Sequence, residues 1–79
     1  MKVYIYRVQE SGVLDDNPCY LISTKNDIYY RTSMPNKKLT KRYLNYMRPF
    51  VDNDFLKYVG KDKIKLLGLI CTKVKEYMI

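Results

Sequence analysis

Residues 62–79 have the sequence DKIKLLGLICTKVKEYMI, and the fold class depends on whether this segment is a helix or a strand. As a helix, it would collect most of its apolar side chains into one arc: Ile64, Leu66, Leu67, Ile70, Cys71, Val74, Tyr77 and Met78. As a strand, several of the same residues also alternate, and the Ile-Cys-Thr-Lys-Val stretch favours β structure. Because a run of about 17 residues without a turn signal is long for a strand, we expect a helix.

The first half of the chain is rich in residues that favour strands. Three such runs are Lys2–Val8, Cys19–Thr24 and Ile28–Thr32, and the first is apolar on both sides, as in a central strand. Residues 10–18 are typical of an irregular connection, and residues 25–27 form a good hairpin turn between the second and third runs. We therefore predict a three-stranded antiparallel sheet.

The second half changes to a helical period. Apolar residues fall on one side of a predicted helix, at Leu39, Tyr43, Leu44, Tyr46, Met47 and Phe50. Pro49 should stop this helix near Arg48, and Asp52 is a suitable N-cap for a short helix that ends before Gly60. The prediction is one α+β domain over residues 1–79, with the small three-stranded antiparallel sheet of the N-terminal half packed against two or three helices of the C-terminal half.

The net charge of the chain is strongly positive. Fifteen basic and 8 acidic residues give +7, a field that attracts nucleic acid or an acidic protein surface. The apolar start, Val3–Val8, is too short for a signal peptide, and the longest apolar run is far below a membrane span. We expect a cytoplasmic protein without membrane contact, in which Cys19 and Cys71 stay free and buried.

Several kinds of catalytic site are absent from the sequence. The chain has no His, which excludes Ser-His-Asp, Cys-His and His-metal sites, and it has no glycine-rich phosphate loop. Asp15-Asp16 and Asp52-Asn53-Asp54 could hold Mg²⁺, but a turn and a helix N-terminus account for them better. We predict no enzyme, no metal and no cofactor. A His-free ribonuclease that uses Tyr, Lys and Arg is a third-ranked alternative.

The predicted binding surface is a cluster of basic residues on the helix that follows the sheet. Its members are Lys37, Lys38, Lys41, Arg42 and Arg48, with Arg31 at the margin. Their i, i+3, i+4 and i+7 spacing concentrates positive charge along one helix face, although a merely solvated face is the alternative interpretation. Tyr29 and Tyr30 must point to opposite sides of the sheet, so at least one is exposed and can stack on a base.

These features predict a non-catalytic protein that binds nucleic acid through phosphate contacts, which do not distinguish DNA from RNA. The alternative is a protein-interaction module, such as a viral, phage or plasmid accessory protein that inhibits a host enzyme by binding its surface. A homodimer through an exposed sheet edge is also open.

Overall fold

The computed structural model describes residues 1–9 and 19–79, and most of these residues belong to one sheet. The elements are β1 (Lys2–Gln9), β2 (Tyr20–Ser23), β3 (Asp27–Arg31), α1 (Lys37–Tyr46), β4 (Val51–Asp52), a 3₁₀ turn (Asn53–Phe55), β5 (Leu56–Gly60), β6 (Lys63–Leu66) and β7 (Leu69–Met78). The strands form a seven-stranded antiparallel sheet in the order β4-β3-β2-β1-β7-β6-β5. The predicted connection over residues 10–18, with Asp15 and Asp16, lies outside the described residues.

Strand β1 occupies the centre of the sheet, as its two-sided apolar sequence predicts. It pairs with β2 on one edge and with β7 on the other. The register along β7 shifts by one residue, since Ile5 lies opposite Lys75 and Tyr6 lies opposite Lys73. Val74 is therefore the extra residue of a β-bulge, which increases the local twist of the sheet.

The sheet curls into a half-barrel, and each of its two faces carries its own apolar cluster. On the face that we call inner, side chains of β1, β2, β3, β6 and β7 form one apolar cluster, and Val51 of β4 and Leu56 of β5 pack against it. Since residues from both outermost strands reach the same cluster, the sheet curls toward this side. On the outer face, a smaller cluster of Val3, Ile5 and Ile22 with Tyr29 packs against α1.

The predicted helix over residues 62–79 is wrong, because this segment is a β-hairpin. Leu66 lies opposite Leu69, and the turn between them consists of Leu67 at φ 50° and Gly68 at φ 85°. Positive φ at both central residues is the geometry that joins twisted antiparallel strands, and Gly adopts it without steric cost. Gly68 was thus a turn signal that divides the long apolar run into two strands of ordinary length.

The short helix predicted before Gly60 is also wrong, and with it the α+β fold class. Asp52 does cap a turn, since its Oδ1 accepts a hydrogen bond from the Asp54 N–H at 2.9 Å, but only the 3₁₀ turn follows. Residues Leu56–Gly60 form β5, which pairs with β6. The described part of the chain has one short helix on a mainly β framework, where three strands and two or three helices were expected.

Helix α1 lies where the sequence predicts it, but a different side faces the sheet. Thr40 is fully buried, and Tyr43 and Leu44 pack against the outer-face cluster, whereas Leu39 and Met47 are exposed. The Thr40 hydroxyl can be buried because it donates to the Asn36 carbonyl at 2.8 Å. Within residues 1–9 and 19–79, no helix is long and apolar enough to cross a membrane.

Candidate nucleic-acid interface

Helix α1 is fixed on the outer face by hydrogen bonds from tyrosine hydroxyls. Tyr43 Oη donates to the Tyr30 carbonyl at 2.7 Å, and Tyr77 Oη donates to the Pro35 carbonyl at 2.8 Å, just before the helix. The Tyr43 ring also meets Tyr29 edge to face, with ring centroids 6.1 Å apart. The basic side of α1 is thus held at a defined position relative to the sheet.

The first turn of α1 carries positive charge where a helix favours negative charge. Asn36 caps the helix by accepting a hydrogen bond from the Leu39 N–H at 2.8 Å, and Lys37 and Lys38 follow it directly. No acidic residue lies in this turn. The helix dipole is positive at this end, so the ammonium groups of Lys37 and Lys38 lower the stability of the helix.

Three of the predicted site residues share the solvent-facing side of α1. Lys38, Lys41 and Arg42 are all exposed. In the helical projection Lys38 and Arg42 lie opposite Thr40 and Leu44, and Lys41 lies at the edge of the same exposed side. Among the described residues, no carboxylate lies within ion-pair distance of them. The structure thus brings these three cations together, and we call them the helix patch.

The structure separates Arg48 and Arg31 from the helix patch. Helix α1 ends at Tyr46, and its C-cap Met47 is already extended, so Arg48 lies in the following segment and not on the helix face. Arg31 is only partly exposed, because its guanidinium stacks over the Tyr43 ring at 4.8 Å and donates to Ser33 Oγ at 3.3 Å. Packing against tyrosine accounts for Arg31.

A second group of basic residues lies on the outer face of the sheet, beyond the part that α1 covers. Lys57 of β5 lies directly opposite Lys65 of β6, and Lys63 lies opposite Thr72 of β7. Lys75 lies opposite the outer-face residue Ile5. All four lysines are exposed, and we call them the sheet patch: Lys57, Lys63, Lys65 and Lys75.

Among the residues that the structure describes, the sheet patch has no acidic neighbour on the same face. The side chains that the cross-strand register places between or beside these lysines are Arg7, Ile70 and Thr72. Like charges directly opposite each other in antiparallel strands destabilise the pair. Two ion pairs between a lysine and a carboxylate are present among the described residues, Lys2–Glu76 and Lys73–Asp62. Both involve residues on or beside the inner face.

Sequence reasoning missed the sheet patch because it treated residues 62–79 as a helix. The signal was present in the spacing, since Lys63 and Lys65, and likewise Lys73 and Lys75, are two residues apart. In a regular strand this spacing puts both members on one face. The bulge at Val74 separates the second pair, so that Lys73 faces inward and Lys75 outward.

The two tyrosines predicted for base stacking do lie on opposite sides of β3. Tyr29 is buried against α1, with 8% of its surface exposed, so it has no free ring face. Tyr30 is 42% exposed on the inner face, where its ring lies 6.0 Å from Phe50 beside an apolar cavity of about 160 Å³. Neither ring belongs to the outer basic surface.

The described residues offer little chemistry beyond positive charge. Burial raises the pKa of Tyr6 to about 12 and that of Cys71 to about 11, so both groups are protonated at neutral pH. No disulfide joins Cys19 and Cys71, and only Cys71 is fully buried, because Cys19 is partly exposed. No group of three His, Cys, Asp or Glu in residues 1–9 and 19–79 could hold a metal ion. Comparisons of the chain with protein-family models, curated proteins and solved structures gave no match.

Proposed function

We propose that this protein binds nucleic acid without catalysis, through phosphate contacts from the helix patch and the sheet patch. Both patches lie on the outer side of the half-barrel, so one polyanion can contact both. Phosphate contacts position a nucleic acid without reading its sequence, so the proposal covers DNA and RNA alike. The absence of a disulfide between Cys19 and Cys71 fits the reducing cytosol.

The directly opposed Lys57 and Lys65 carry this proposal. A cross-strand pair of opposite charges would stabilise the hairpin, and the chain instead places two ammonium groups there. The same holds at the start of α1, where Lys37 and Lys38 oppose the helix dipole. Two independent elements thus keep unfavourable positive charge on the same side of the molecule, and phosphates would relieve the repulsion in both.

The experiment compares two double charge reversals in binding to a blunt DNA duplex and to an RNA duplex. We expect Lys41→Glu/Arg42→Glu in the helix patch and Lys57→Glu/Lys65→Glu in the sheet patch each to reduce the affinity at least about a hundredfold at low salt. Neutral substitutions to Ala should each lower the slope of log affinity against log salt by roughly one per lost contact.

Arg48→Glu/Lys61→Glu is the matched control, because it makes the same charge change at two positions outside the patches. Arg48 follows α1 and Lys61 lies in the β5–β6 turn, and both are exposed. This variant should lose affinity only by the general effect of lower net charge, and circular dichroism should show all three variants folded. Equal losses in all three variants would contradict a localised interface.

The salt dependence distinguishes the proposed partner from an acidic protein. Binding that persists at high salt, or that duplexes do not support at all, would replace nucleic acid by a protein surface with desolvated contacts. Cleavage of the RNA duplex or of a single strand during the assay would contradict the non-catalytic part of the proposal.

A further inference from the structure

A second cavity, larger than the one beside Tyr30, lies on the inner face, on the opposite side of the sheet from the basic patches, and we call it the inner cavity. Its volume is about 620 Å³, within the range of small-ligand sites. The residues that define its chemistry are Lys2, Tyr4, Lys25, Asn26 and Tyr58, and none of the described residues that line it carries a carboxylate.

One wall of this cavity is the β2–β3 turn, whose backbone is held by several hydrogen bonds. Thr24 Oγ1 accepts from the Asp27 N–H at 3.0 Å. Asn53 Nδ2 donates to the carbonyls of Thr24 at 3.1 Å and Lys25 at 3.0 Å, and the Asn53 N–H donates to the Asn26 carbonyl at 2.9 Å. The turn is therefore fixed before any ligand arrives.

The side chains of this turn remain available for a ligand. Lys25 and Asn26 are exposed, and their side chains make no hydrogen bond or ion pair with another residue that the structure describes. Lys2 lies 3.8 Å from Glu76, but both side chains are about half exposed, so this ion pair is weak and Lys2 can turn to another anion.

The lining of the cavity also includes an exposed aromatic ring. Tyr58 of β5 lies opposite Ile64 in the register, which places it on the inner face, yet 75% of its surface is exposed. Tyr4 offers less free area, because the Lys73 ammonium lies 5.2 Å from its ring centroid. An exposed ring and two lysines that line one cavity suit a ligand that is flat at one end and anionic at the other.

From this arrangement we infer that the inner cavity binds a nucleoside phosphate, with the base on Tyr58 and the phosphate at Lys2 and Lys25. Base stacking on an aromatic side chain tolerates any base, so the inference names the class and not the base. Asn26 can donate to and accept from the edge of the ligand. The site is separate from the outer patches and does not depend on the proposed function.

The test is an NMR titration of the folded protein with adenosine 5′-monophosphate, with adenosine and inorganic phosphate as separate probes. We expect saturable shifts of the Lys25, Asn26 and Tyr58 amides with the nucleotide. Adenosine and phosphate should each bind at least about tenfold more weakly, since each lacks half of the contacts. Tyr58→Ala should weaken nucleotide binding about tenfold or more, and Tyr58→Phe should retain it.

The chain offers matched controls for both kinds of contact. Phe55 is an exposed aromatic residue three positions before Tyr58, and it does not line the cavity, so Phe55→Ala should leave nucleotide affinity unchanged. Lys25→Ala should weaken nucleotide binding severalfold, and Lys61→Ala should not. Equal effects of the Tyr58 and Phe55 substitutions would overturn the stacking assignment.

Two further results would overturn the inference altogether: shifts that do not saturate, or phosphate that binds as tightly as the nucleotide. The reversal Lys57→Glu/Lys65→Glu should weaken duplex binding at least about a hundredfold, as above, and leave the nucleotide titration unchanged. A failed nucleotide titration with intact duplex binding would therefore remove the inner site alone, and the opposite result would remove only the outer surface.

Discussion

At the scale of single residues, burial decides the ionisation of Tyr6 and Cys71. Tyr6 is 4% exposed and Cys71 is 0% exposed, and both belong to the inner-face cluster. Removal from water disfavours the charged forms, and for Tyr6 the nearby Tyr58 and Tyr4 add to the effect. The folded protein therefore holds both protons more tightly than the unfolded chain does.

This difference predicts a loss of stability at alkaline pH. Both pKa values are raised on folding, to about 12 for Tyr6 and about 11 for Cys71. The corresponding stabilisation is complete below the unfolded pKa values near 9 and 10, and it is lost as the pH rises through the folded values. Urea unfolding between pH 8 and pH 12 should show the decline, and Tyr6→Phe should make it shallower. An identical decline in both proteins would exclude Tyr6 as a source.

At the scale of elements, the sequence predicted α1 and the first three strands but not β4, β5, β6 and β7. The first three strands and their turn depend on local composition, which is visible in the sequence. Strands β6 and β7 share apolar positions that fit both a helical and an alternating period, so periodicity alone could not separate the two. The turn at Leu67 and Gly68 settles the choice, and Leu is an unusual first residue for it.

The parts of the proposed binding surface that could be predicted are those that lie on predicted elements. Lys38, Lys41 and Arg42 could be predicted to share one helix because α1 itself was predicted, whereas Arg48 was placed on that helix although it ends at Tyr46. The sheet patch is created by cross-strand pairing between β5 and β6. Register between strands depends on turns and packing, so this part of the surface follows only from the fold.

Substitutions in the β6–β7 turn should change stability in opposite directions. Gly68→Ala should destabilise the protein by about 1 kcal/mol, because φ is 85° there and a methyl group meets no atom within 4 Å, so the cost is backbone strain alone. Leu67→Asn should stabilise it by about 0.5 kcal/mol, since Asn tolerates positive φ and the exposed leucine is removed. Denaturant unfolding measures both, and a stabilising Gly68→Ala would contradict the turn geometry.

At the scale of the whole molecule, basic and acidic residues are distributed unevenly, both along the chain and over its surface. All fifteen basic residues lie in residues 1–9 and 19–79, whereas Glu10, Asp15 and Asp16 of the eight acidic residues do not. The two patches collect seven of the basic residues on the outer side, and ion pairs relieve none of them among the described residues. Self-repulsion of this kind lowers the stability of the folded state.

Salt should therefore stabilise the free protein. We expect the melting temperature to rise between about 20 mM and 300 mM NaCl, as screening weakens repulsion between exposed lysines. Lys57→Glu should raise stability by about 0.5 kcal/mol at low salt, because it gives Lys65 an opposite charge across the hairpin, and it should reduce the salt effect. The same variant should bind duplexes more weakly. A melting temperature that falls with salt would show that attractive pairs dominate.

The pairing of β1 with β7 also sets the order in which this chain can fold during synthesis. The sheet consists of two local halves, β1-β2-β3-β4 and β5-β6-β7, and β1·β7 is the contact that unites them across the centre. On the ribosome, the edge of β1 that pairs with β7 stays unpaired until β7 has left the exit tunnel. The first half is then a nascent intermediate with an unpaired apolar strand, and closure of this longest loop should limit the folding rate.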